Sequence, residues 1–136
     1  MKKKIIQINE LEQCACFNAR LMARELTNEY NETLKFTGLN STQIPILAIL
    51  NIYNQTETSK IATIFKLEIS TIRRNLNILI KKDLVRIVKR GVDGNTLTLT
   101  NKGYEKLKKA LPVWRNLQNK GKNRISKYLK VLEDIL

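Results

Sequence analysis

Between residues 67 and 100 the hydrophobic period of the chain changes once, and that change restricts the fold more than any other feature. In LEISTIRRNLNILIKKDLV (67–85), Ile69, Ile72, Leu76, Leu79 and Ile80 recur at intervals of three and four. That is the spacing of a helix with one apolar face, here over residues 69–82. Beyond Leu84 the pattern alternates. VRIVK and TLTLT read as short strands, and GVDGN between them reads as a turn. Upstream, Thr58 or Ser59 can cap a short helix, KIATIF, ending near residue 65, and KLEI supplies a turn. Two short helices joined by such a turn form a helix-turn-helix. A hairpin that follows directly is a wing. The expected fold is mainly α with a small β-hairpin wing.

The flanking segments are helical. Asn9 and Glu12 have capping-box spacing, and residues 11–34 contain neither Pro nor Gly, which predicts one long helix. Its centre, CACFNARLMARELTNEY, is apolar on most faces, so it needs burial on several sides, including against a second subunit. Gly38 ends this segment. Asn40 and Gln43 form another capping box before a helix over residues 42–53, with Pro45 early enough to be tolerated. NQTETS reads as a polar loop. Thr100 can cap NKGYEKLKKAL, which Pro112 interrupts, and a last helix follows with Gly121 as a candidate break. Its stripe of Tyr128, Leu129, Leu132, Ile135 and Leu136 can pair with a second chain. One domain is expected over residues 1–136, with a winged helix-turn-helix over 40–110 and dimerisation helices over 1–37 and 112–136.

Charge is segregated along the chain. Residues 1–57 carry six Lys/Arg and six Asp/Glu, whereas residues 58–136 carry nineteen against six, so the whole net charge of +13 lies in the second segment. Such asymmetry is the footprint of a polyanionic partner. There is no histidine, which removes imidazole acid–base chemistry, the usual activation of Ser or Cys nucleophiles, and most zinc sites. No nucleotide-binding or hydrolase motif is present. No catalytic residue, metal or cofactor is expected. The apolar run after MKKK is too short for a signal peptide and nothing approaches a membrane span, so a cytoplasmic location and no membrane partner are expected.

On the 69–82 helix, Ser70, Arg73, Arg74, Asn77 and Lys81 fall within roughly a third of the circumference, away from the apolar stripe. A basic face is more often a solvated face. The helix-turn-helix context favours double-stranded DNA instead, because the start of such a helix enters the major groove. Arg pairs bidentately with guanine and Asn with adenine. Ser70, Thr71, Arg73, Arg74 and Asn77 are candidates for base edges or adjacent phosphates. Thr58, Ser59, Lys60, Lys89 and Arg90 are candidates for phosphate contacts. The competing reading is a winged helix whose basic face docks on an acidic protein.

The order and spacing of several segments resemble the MarR family of winged-helix regulators across almost the whole chain. STIRRNLNILIKKDLV resembles that family's recognition-helix segment, and DGNTLTLTNKG its wing. ALPVWRNLQ and the CACFNARLMARELTNEYNETL helix resemble one branch of the family. The resemblance implies a homodimer, with two winged helices on a pseudo-palindromic operator. It implies repression, relieved by a small-molecule effector or an oxidant. Two positions depart from the pattern. Asn95 stands where a wing-tip arginine is usual, leaving Lys89 and Arg90 as the nearby cations. Asp83 stands where a glycine commonly precedes the wing.

Cys14 and Cys16, two apart on a helix, would point about 200° from each other, which disfavours a mutual disulfide or a shared metal. Cys16-Phe17, Arg24-Glu25, Thr27 and Tyr30 resemble the hydroperoxide-sensing branch, which implies a redox role for Cys16 and Tyr30. The other aromatic partners of that branch correspond to Arg20 and Ser41. Arg20, one turn from Cys16, can favour its thiolate. Plain burial of the cysteine is the alternative, as are ion pairs of Arg20 and Arg24 with Glu29, Glu32 or a partner chain. Trp114 and Tyr53 are candidates for lining a ligand pocket, with core packing as the alternative.

Overall fold

The computed structural model describes residues 1–92 and 94–135. Six helices and three strands follow the order α1 (Ile8–Glu12), α2 (Ala15–Leu34), a 3-10 turn (Lys35–Thr37), α3 (Gln43–Tyr53), β1 (Thr56–Glu57), α4 (Thr58–Phe65), α5 (Ile69–Lys81), β2 (Val85–Lys89), β3 (Thr96–Leu99) and α6 (Asn101–Ile135). The sheet is antiparallel in the order β1-β3-β2. Asp93 and Leu136, which figure in the expected wing and the C-terminal stripe, lie outside the described residues, as does the side chain of Ile135.

The core gathers on the winged helix. Ile44, Leu47 and Leu50 of α3, Ile61 of α4, Ile72 and Leu79 of α5, Leu84, and Leu97 of β3 are all within 1% of complete burial. Each such side chain contributes about 1.5–3 kcal/mol relative to exposure. Leu34, Leu107, Ala110 and Leu117 join it from α2 and α6. The Asn40–Gln43 capping box forms as the spacing indicates: the Asn40 carboxamide oxygen accepts from the Gln43 amide at 3.0 Å, and the Gln43 side chain accepts from the Asn40 amide at 3.2 Å.

Four expectations need correction. The single helix over 11–34 is two helices, because Gln13 and Cys14 leave the helical path. Gln7, not Asn9, caps α1, in a box with Glu10. Cys14 is extended, and its sulfur accepts from the Phe17 amide at 3.5 Å to cap α2. The break is stabilised by Asn18, whose side-chain amide donates to the carbonyls of Glu12 (2.7 Å) and Cys14 (2.9 Å). The NQTETS segment holds β1, whose Thr56 and Glu57 pair with Leu97 and Thr96. Neither Pro112 nor Gly121 interrupts α6, which runs unbroken for 35 residues. Buried Leu107 and Ala110 before the proline and Leu117 after it hold the helix to the core on both sides. Gly121 instead admits a neighbour, since a Cβ there would lie 3.2 Å from the Tyr30 hydroxyl on α2.

Three lysines close helix ends. Lys106 Nζ donates to the Thr37 carbonyl (2.9 Å), Lys82 Nζ to that of Gly38 (3.4 Å) and Lys102 Nζ to that of Lys82 (3.2 Å). Cations at helix C-termini satisfy orphan carbonyls and complement the dipole. The corner after α5 is tighter. Asp83 is left-handed (φ 59°), which explains why glycine suits this position. The Thr100 amide donates to the Leu84 carbonyl (3.1 Å), its hydroxyl to that of Asp83 (2.6 Å), and the same hydroxyl caps the Gly103 amide (2.9 Å).

Between α2 and α6, Arg124 pairs with Glu25 at 3.0 Å and Glu29 at 2.9 Å. These are not the Arg20 and Arg24 pairings that helical spacing allows. A hydrogen bond from the Tyr128 hydroxyl, reinforced by Arg124, holds the Glu25 carboxyl below its ordinary value of 4.5. The same bond keeps Tyr128 protonated to higher pH than usual.

Two outcomes follow. A Cβ at Gly103 would run into the Leu84 carbonyl oxygen, which is backbone and cannot give way. Gly103→Ala should therefore cost about 2–3 kcal/mol or more in urea unfolding, and Gly121→Ala less, because the tip of Tyr30 can shift. For Glu25, a lowered folded-state value means that its contribution is present above pH 4.5 and is lost as pH falls through the depressed value. The melting temperatures of wild type and Arg124→Gln should accordingly differ at neutral pH and converge in acid.

Candidate nucleic-acid interface

The turn between α4 and α5 is set by Lys66, left-handed at φ 53°, and by the Leu67 amide donating to the Ala62 carbonyl at 3.1 Å. This directs α5 across α4. Ile72, Leu76 and Leu79 of α5 are buried and Ile80 is half-buried. Ile69, expected in the same stripe, is 38% exposed, because the first turn of α5 projects beyond the core.

Ser70, Arg73, Arg74, Asn77 and Lys81 are all exposed on the opposite side, and Thr71 is half-buried. No acidic residue occurs within α5. Arg74 is restrained one turn back, its Nη2 donating to the Thr71 hydroxyl at 3.3 Å. The hydroxyl fixes a side chain that would otherwise sample many rotamers.

The start of α4 differs from expectation. Thr58 is buried at 2% exposure. It does not cap the helix, a position that Glu57 holds. Its amide and its hydroxyl both donate to the Asn95 carbonyl, each at 3.0 Å, so its side chain braces the wing and is withdrawn from solvent. Ser59 is half-buried and borders the wing beside Lys89 and Thr96. Lys60 is exposed, with its ammonium 3.7 Å from the centre of the Tyr53 ring. Tyr53 is thus a cation–π partner and lines none of the larger hollows.

The wing carries exposed Lys89 and Arg90, half-buried Asn95 and a fully exposed Val92. A bulge interrupts the β2–β3 pairing between Ile87 and Lys89. Between wing and α5 lies a cleft of about 350 Å³, lined by Thr58, Arg73, Asn77, Val92 and Asn95 together with Gly91 and Gly94. The fold therefore brings together Arg73, Asn77, Asn95 and Thr58, which lie far apart in sequence.

Cys14 and Cys16 are both exposed in the chain, so burial does not describe them here. Cys14 precedes α2, which also removes the argument that both thiols point from one helix. Tyr30 lies fourteen residues from Cys16 along α2, about 21 Å of helix, and the two do not meet within one chain. Burial, with a contribution from Glu29, keeps the Tyr30 hydroxyl protonated to higher pH than usual. Tyr30 lines a cavity of about 640 Å³ with Leu26, Pro45, Trp114, Lys122 and Ile125. Among the described residues, no group of His, Cys, Asp or Glu is placed to hold a metal ion, and no helix is long and apolar enough to cross a membrane.

Two features escaped the sequence reading. The Glu25–Glu29–Arg124–Tyr128 cluster spans about a hundred residues, so no local spacing announces it. The Thr58–Asn95 brace uses a backbone carbonyl, which no side-chain pattern encodes.

No family model and no curated relative matches the chain. Solved structures do. The transcriptional regulator MosR of M. tuberculosis, crystallised with DNA, is 32% identical, with 90% of each chain covered and a TM-score of 0.74. E. coli MarR, as a mutant complexed with operator DNA, is 16% identical over 87% of this chain and 90% of that one, with a TM-score of 0.70. A MarR family transcriptional regulator from Silicibacter pomeroyi is 20% identical over 99% and 95%, with a TM-score of 0.64. The last two share the fold. MosR adds sequence identity over nearly the full length, and with it the chain belongs to the MarR family of winged-helix transcriptional regulators.

Proposed function

We propose that this protein is a sequence-specific double-stranded DNA-binding repressor that acts as a homodimer on a pseudo-palindromic operator. The observation that carries the reading is the exposed, acid-free face of α5, with Ser70, Arg73, Arg74 and Asn77 beside a wing bearing Lys89 and Arg90. The DNA in the MosR and MarR crystals supports it. Ser70, Thr71, Arg73, Arg74 and Asn77 meet base edges or the phosphates beside them. Ser59, Lys60, Lys89 and Arg90 meet phosphates, and Asn95 offers its side chain from the cleft wall.

Exposed apolar side chains support the homodimer. Ile5, Ile6, Ile8 and Leu11 near the N-terminus and Ile125, Leu129 and Val131 on α6 are uncovered in the single chain. Unpartnered apolar surface of this kind marks an interface. The cavity beside Tyr30 and Trp114 supports release by a small-molecule effector, its mostly apolar wall carrying one lysine. The exposure of Cys16 supports oxidation as another trigger.

The test is binding to the protein's own upstream intergenic DNA against random duplex, across a salt series. Selective binding by a species of twice the 15.8 kDa chain mass is expected. Weak binding, equal for both duplexes, would overturn the reading. Arg74→Ala should weaken specific binding by about 1–3 kcal/mol and leave random-duplex binding nearly unchanged.

A further inference from the structure

Arg73 and Arg74 are adjacent in sequence yet face different surroundings. Successive residues on a helix diverge by about 100°. Arg74 points away from the core with Ser70 and Lys81, and Thr71 holds it at 3.3 Å. Arg73 turns toward the wing and is, among the described residues, the one charged side chain lining the cleft of about 350 Å³. The other described residues of the lining are glycine or neutral: Gly91, Val92, Gly94, Asn95, Thr58 and Asn77. Thr58 fixes the far wall through its two bonds to the Asn95 carbonyl, each 3.0 Å. These bonds hold the Asn95 side of the cleft against the start of α4.

Resting on the DNA-binding reading, the placement has a geometric consequence. When α5 occupies a major groove and the wing lies over the neighbouring minor groove, the strand separating the grooves must pass between them. What passes is sugar and phosphate, not base edges. We infer that Arg73 is a backbone clamp, binding the phosphate of the strand that threads the α5–wing cleft, and that Arg74 is the base-reading arginine. The two differ in what they need. A phosphate accepts any nearby cation, so charge suffices at Arg73. A guanine edge requires the planar two-donor fork, so the guanidinium is needed at Arg74.

The probes are the best duplex that the wild-type protein selects from a random-sequence pool, and a shuffled duplex of the same length. Arg73→Ala should weaken binding to both by the same factor and lower the salt slope by about one per winged helix, or about two for the dimer. Arg73→Lys should restore both duplexes to near wild type. Arg74→Ala should weaken the selected duplex by about 5- to 150-fold per half-site while sparing the shuffled one, and Arg74→Lys should not restore it. If Arg73→Ala loses selectivity, or if Arg74→Lys rescues fully, the division of labour is wrong although DNA binding stands. If the wild-type pool enriches no sequence, the DNA-binding reading fails and this inference fails with it. Circular dichroism of each variant separates lost contacts from lost fold.

Discussion

The corner where α5 ends is the constraint on which the remainder of the winged helix depends. The backbone turns there through a left-handed Asp83, and the Leu84 carbonyl receives the Thr100 amide at 3.1 Å. Gly103 packs so closely over the same carbonyl that no side chain fits. This one junction ties the C-terminal end of α5, the residue that leads into β2 and the first turn of α6. It sets the angle between the helix that presents Arg74 and the strand that ends at Lys89, just before Arg90. Leu84, Val85 and Leu97 are buried on the inner side of the corner, whereas Asp83 is exposed, so the junction sits at the edge of the core.

A second restraint acts at the other end of the wing. Thr58, at the start of α4, grips the Asn95 carbonyl, so the hairpin is held at its base by the α6 corner and at its return strand by α4. The short β1 adds a third connection, pairing Thr56 and Glu57 with β3. Here the positioning of α5 and of the wing share one scaffold, which suits recognition that depends on holding two elements at a fixed separation.

Much of this was legible in the residues. The change of period near Leu84 located the helix-turn-helix and the hairpin, because burying one face of a helix or strand leaves a period in the sequence. Asn40 with Gln43 and Thr100 marked real caps, because capping is local chemistry. The failures have physical causes. Pro112 and Gly121 read as breaks, but burial of Leu107, Ala110 and Leu117 outweighs the hydrogen bond that the proline forfeits, and Gly121 keeps its amide and packs against Tyr30. Thr58 read as a solvent-facing cap, but its partner is a carbonyl 37 residues away. Asn18 repaired the break after α1 from within what looked like continuous helix. In the interface, α5 was readable from its own face, whereas the cleft beside Arg73 required knowing where the wing returns.

Three of the lysines that make the second half of the chain so basic are bound to the ends of helices. Lys82, Lys102 and Lys106 spend their ammonium groups on carbonyls of the 3-10 turn and of α5. Their charge still contributes to the field that an approaching polyanion feels from a Debye length away, about 8–10 Å at physiological salt. Each ammonium commits one of its three donors to a helix-end carbonyl, and turning fully outward would uncap the helices. These three cations are therefore tethered in place, and each meets a polyanion from a fixed point with the donors it has left.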